Sequence, residues 1–77
     1  MNNSRRTALR MIVERLEELK AELGLHRDDE QDYYDNMPES LQAGEPGNKA
    51  EEAASYLDDA VNSLDEVISS IGSSVQS

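Results

Sequence analysis

The sequence predicts an all-α fold, an antiparallel hairpin of two long helices. Three observations predict it. Leu9, Ile12, Leu16, Leu19 and Leu23 alternate in steps of three and four, which keeps them on one helical face. From residue 50 a second stretch repeats every seven residues, with Ala50, Leu57, Leu64 and Ile71 at one position. Between the two lie Asn36-Met37-Pro38 and Glu45-Pro46-Gly47, residues of the kind that stop helices.

Helix one is expected over about residues 4–36, with Asn3 or Ser4 as N-cap. Val13 widens its stripe, and the same register reaches His26, Glu30, Tyr33 and Met37. Arg, Glu, Lys, Ala and Leu fill the other positions, so propensity agrees with pattern. Gly24 could end the helix in the left-handed conformation or sit in a continuous one. The register survives across it to Met37, which favours continuity.

The hinge is expected over about residues 37–47. The residue before Pro38 is pushed out of the helical region, and Pro38 suits the first turn of a short helix through Gln42, ended by Gly44. Glu45-Pro46-Gly47 reads as a turn. Asn48 and Glu51 fit a relaxed capping box, so helix two is expected over about residues 48–72, near 36 Å long. The tail, about residues 73–77, should fray. Folding back at this hinge makes neighbours of residues whose numbers sum to about 84. Tyr33 and Tyr34 then meet Ala50, Ala53 and Ala54, Leu19 meets Leu64, and Ile12 meets Ile71.

The apolar stripe of helix two holds three positions per repeat, because Ala53, Ala60 and Val67 are followed by Ala54, Val61 and Ile68. A seam between two helices needs two. The expected seam is therefore shared between copies: Leu9, Ile12, Leu16, Leu19 and Leu23 with Leu57, Val61, Leu64, Val67, Ile68 and Ile71. A homo-oligomer follows, a dimeric four-helix bundle first, with higher assemblies open. Size agrees. A chain of 77 residues is one domain with a modest core, and without cysteine it has no disulfide to add.

Composition also sorts functions. No run of about 18 apolar residues exists to span a membrane, and charges interrupt the N-terminal stretch where a signal peptide would be apolar. A cytoplasmic location is expected. The net charge is -10, from 17 acids and 7 bases, so direct nucleic-acid binding is not expected. The charge is uneven. Arg5, Arg6, Arg10, Arg15 and Lys20 lie in the first twenty residues, whereas only Arg27 and Lys49 follow. Asp28, Asp32 and Asp35 share a helical face but lack the alternating oxygens and glycine turn of a calcium loop. The lone histidine, His26, has no partner suited to a metal or a nucleophile, and no phosphate loop or serine elbow is present. Neither an enzyme nor a cofactor is expected.

The segment Asp28-Asp29-Glu30-Gln31-Asp32-Tyr33-Tyr34-Asp35-Asn36-Met37-Pro38-Glu39-Ser40-Leu41-Gln42, followed by Gly44-Glu45 and Lys49-Ala50-Glu51-Glu52-Ala53, resembles a family of small acidic phage and prophage proteins. The resemblance covers about residues 14–70. It implies a phage accessory protein acting in the cytoplasm of an infected or lysogenic bacterium, and it carries over no activity and no functional residue.

Three functions compete. The first is an oligomeric helical module that binds and inhibits a host protein, with an anti-defence role. Its contacts would be Tyr33, Tyr34, Asp35, Asn36 and Glu39 at the hinge. Tyr33 is expected in the core with its hydroxyl at the edge. Tyr34 and Tyr56 lie at the margin, as rim packing or as partner contacts. The second is a nucleic-acid mimic using the acidic pairs Asp58-Asp59 and Asp65-Glu66. Those pairs recur about every 10.5 Å, wider than phosphates along a strand. The third is a sponge for small anions or signalling nucleotides, built from Arg5, Arg6, Arg10 and Arg15.

Overall fold

The computed structural model describes residues 1–76 and contains three helices in the order α1 (Asn3–Asp35), α2 (Glu39–Gln42) and α3 (Glu45–Gln76). The two long helices pack against each other, and the short one packs on α3. The result is a rod of 58 × 15 × 12 Å. Among the described residues, no helix is long and apolar enough to cross a membrane.

α1 begins one residue earlier than expected. Asn2, in extended conformation, is its N-cap, and the Asn2 side-chain oxygen accepts from the Arg5 backbone N–H at 2.8 Å. That satisfies one of the unpaired donors of the first turn. The helix runs unbroken through Gly24, where an added Cβ would meet only the Arg27 guanidinium, at 3.8 Å. It ends at Asn36, whose N–H reaches the Asp32 carbonyl at 3.0 Å.

The hinge corrects the boundary of helix two. Glu45-Pro46-Gly47 is the first turn of α3 rather than a separate turn, and Asn48 donates to the Gly44 carbonyl at 3.1 Å instead of capping. Proline lacks an N–H that the first turn would leave unpaired in any case, so Pro46 is at home there. Gly47 is buried, and a Cβ on it would collide with the backbone of Gln42. The Gln42 side-chain amide in turn donates to the Tyr34 carbonyl at 2.9 Å. One residue thus ties α2 to the end of α1 and to the start of α3.

The far end of α3 also differs from expectation. The helix continues through Gly72 to Gln76 rather than fraying. Ser74 donates its hydroxyl to the Ile71 carbonyl at 2.8 Å, and Val75 is half-buried beside Val13. The final residue of the expected frayed tail, Ser77, lies outside the described residues.

Burial along the rod is shallow. Among the described residues, the buried ones are Gly47, Ala50 and Ala54, all near the hinge. Leu9, Val13, Leu16 and Leu23 on α1, and Leu57, Val61, Leu64, Ile68 and Ile71 on α3, are half-buried. The exposed surface is 5602 Å². A compact monomer of this mass would expose about 4,700 Å².

Candidate interaction surface

The half-buried positions of α1 define the face turned to α3: Leu9, Val13, Leu16, Lys20, Leu23, Arg27, Glu30 and Tyr34. This is a repeat of three and four, as expected, but not the expected one. Leu9, Leu16 and Leu23 belong to both. The alternating partners are Val13, Lys20, Arg27 and Tyr34 rather than Ile12, Leu19, His26 and Tyr33. Tyr33 is therefore 62% exposed instead of buried in the core, and its neighbour Tyr34 takes the inner place.

Four of these inner residues are polar, and three of them, Lys20, Arg27 and Tyr34, find a partner on α3. Lys20 Nζ lies 2.6 Å from Asp65 Oδ1, and Arg27 Nη1 lies 2.9 Å from Asp58 Oδ1. The Tyr34 hydroxyl faces Glu51. The step is seven residues on both helices, so the three pairs form a ladder along one face of the hairpin. Glu17 adds a second carboxylate to Lys20 at 3.7 Å, and Asp28 a second one to Arg27 at 3.2 Å. The Asp65 hydrogen bond raises the Lys20 pKa above its usual value, and the bonds to Asp28 and Asp58 do the same for Arg27. Tyr34 is also raised, first by desolvation and then by the Glu51 charge, because both disfavour the phenolate. This face is closed by its own charges.

The opposite face is open. Arg5, Ile12, Leu19, His26 and Tyr33 follow one another every seven residues along α1, and Pro46, Ala53, Ala60 and Val67 do so along α3. Leu19, Leu23, His26 and Leu64 line one shallow groove between the helices, and Tyr33, Pro46 and Ala50 line another nearer the hinge. Ile12 is 44% exposed, Leu19 51% and Val67 45%. Apolar side chains thus run along most of this face with no helix above them.

The acidic pairs of α3 are split by the fold. Asp58 and Asp65 turn inward to Arg27 and Lys20, while Asp59 and Glu66 face outward and are exposed. At the hinge, Asp35, Asn36 and Glu39 are exposed, with Asp35 accepting from the Gln31 amide at 3.0 Å. Tyr56 is 66% exposed on the outer side of α3.

The four N-terminal arginines do not converge within one chain. At about 100° per residue, Arg5, Arg10 and Arg15 leave α1 in three different directions. Arg6 is half-buried with a partner inside the fold. Among the described residues, no three His, Asp or Glu side chains gather as metal ligands would.

What sequence reading missed was the role of Lys20 and Arg27. The signal was present: each stands seven residues from the next inner position, and each faces an acid that recurs with the same period. No protein-family model, curated protein or solved structure matches this chain.

Proposed function

We infer that this protein is a non-enzymatic helical interaction module. It self-associates through its open face into a four-helix bundle and presents its acidic outer surface and hinge to a partner protein. The observation that carries the reading is the open face itself. The rod exposes about 900 Å² more than a compact monomer of its mass would, so a single hairpin leaves its apolar surface poorly covered. Ile12, Leu19 and Val67 are already about half covered in the hairpin, so burying the remainder would stabilise the assembly by about 1 kcal/mol for each side chain. That is the device a small chain without disulfides needs.

The resemblance to small acidic phage proteins supports a partner in the host, bound and inhibited by the assembled module. The mimic reading loses support, because the fold spends Asp58 and Asp65 on internal ion pairs and leaves single acids, Glu52, Asp59 and Glu66, rather than pairs to imitate a phosphate row. The sponge reading would need several copies to bring Arg5, Arg10 and Arg15 together.

Light scattering across a concentration series tests the self-association. The expected mass is at least twice the 8.6 kDa of the chain, and a monomer at every concentration would refute it. Affinity capture from the bacterial host, followed by mass spectrometry, tests the partner. A specific protein captured by the wild type and lost on substituting Asp35 and Glu39 supports the hinge as the contact.

A further inference from the structure

The orientation of the assembly can also be inferred, and this step rests on the self-association proposed above. Two such rods can pair through their open faces in two ways. With a two-fold axis along the rod, both hinges lie at one end and α1 of one copy covers α3 of the other. With the axis across the rod, the hinges lie at opposite ends and α1 covers α1.

Charge separates the two arrangements. The end of the rod away from the hinge, residues 1–16 and 69–76, carries four arginines and one acid, Glu14. The hinge end, residues 27–58, carries ten acids and two bases. Parallel rods would lay one acidic hinge beside the other. Antiparallel rods lay each arginine end over an acidic hinge.

The same asymmetry appears beside the open face. Leu19 is the middle residue of α1 (Asn3–Asp35) and lies on that face. Arg15 stands one helical turn before it, and Glu22, which lines the groove with Leu19, about one turn after it. Both are exposed, and neither takes part in the hairpin's ion pairs. An axis across the rod near Leu19 brings each Arg15 to the partner's Glu22. It also brings Arg5 toward the partner's Tyr33, whose ring can take a cation on its face.

We propose that the open face is covered by a second, antiparallel copy of this chain, with the two-fold axis near Leu19 and Arg15 of each copy beside the partner's Glu22.

The chain has no cysteine, so an introduced thiol reports one neighbour. Full-length Leu19→Cys should form a disulfide-linked dimer under mild oxidation, because the axis brings the two sulfurs together. In the parallel arrangement Leu19 faces α3, and a mixture of Leu19→Cys and Val67→Cys would cross-link instead, which would overturn the proposal. A charge exchange supplies an independent readout. Arg15→Glu alone and Glu22→Arg alone should each weaken dimerisation about tenfold, since each places two like-charge contacts in the interface. Mixed one to one, they should form a heterodimer of wild-type strength. Net charge alone would instead make Glu22→Arg the stronger associator, because it moves the chain toward neutrality. That result, or the absence of rescue on mixing, would overturn the orientation while self-association stands. A wild type that stays monomeric would remove the underlying reading itself.

Discussion

The two faces of this hairpin are built from the same two helices and the same seven-residue step, yet they end differently. On one face the recurring residues are Lys20, Arg27 and Tyr34 against Asp65, Asp58 and Glu51, and every polar group meets its complement within the chain. On the other they are Ile12, Leu19, Tyr33 and Val67, all exposed, beside the half-buried Ala53 and Ala60, and no third helix lies over them. Charge pairs are directional and select a register, but exposed ones stabilise little. Apolar surface has no direction, but its burial is the larger driving force. One face tells the helices how to align, and the other supplies a reason to assemble.

The contrast depends on the hinge, so its sharpest disruption lies there. Gly47→Ala places a methyl group against the Gln42 backbone. The expected cost is about 2–3 kcal/mol, typical of overpacking, measured by circular dichroism melts. Both faces would lose their definition together.

Leu19→Lys attacks the open face alone. The expected result is a rise of about a hundredfold or more in the dimer dissociation constant, from the loss of two buried leucines, with helicity retained at high concentration. Equilibrium sedimentation reads it directly. Loss of helicity at every concentration would instead make Leu19 part of the monomer's own core.

Gly24→Ala tightens the closed face. The new methyl sits in ordinary contact with Arg27, at 3.8 Å, inside a continuous helix. The variant should be more stable by about 1 kcal/mol, seen as a higher Tm.

The smallest effect is expected from pH. The folded-state pKa values of Lys20 and Tyr34 are both raised above their ordinary values of 10.5 and 10.0. A raised value means the folded state holds its proton more tightly, so the contribution is fully present below about pH 10 and lost as pH climbs through the folded values. Thermal melts should show a modest alkaline decline, diminished in Lys20→Met. Decline on mild acidification without an alkaline counterpart would contradict the assigned ladder.

Much of the fold was legible in the sequence because periodicity is a long-range signal. Thirty-odd residues of consistent stepping outweighed a single glycine, and α1 does run through Gly24. Where the reading rested on one or two residues it erred. Pro46-Gly47 carries the same letters whether it forms a turn or a first helical turn, and only the approach of Gln42 decides between them. The exchange of Tyr33 for Tyr34 has a different origin. Two stripes of equal period share Leu9, Leu16 and Leu23, and the greasier one looks like the core. The inner one was disguised by Lys20 and Arg27, whose stems pack while their charges reach across to α3. Hydrophobicity therefore pointed to the outer face of the monomer, and the pairing of Ile12 with Ile71 expected from it placed an exposed residue in the core.

The ladder has a consequence for how the chain reaches this shape. Each rung joins residues at nearly the same distance on either side of the hinge, so the rungs enclose successively longer loops: Tyr34 to Glu51, then Arg27 to Asp58, then Lys20 to Asp65. Closing a short loop loses less chain entropy than closing a long one, and each closure shortens the next. The hairpin should zip from Gly47 outward, with the two termini the last to meet and the first to part.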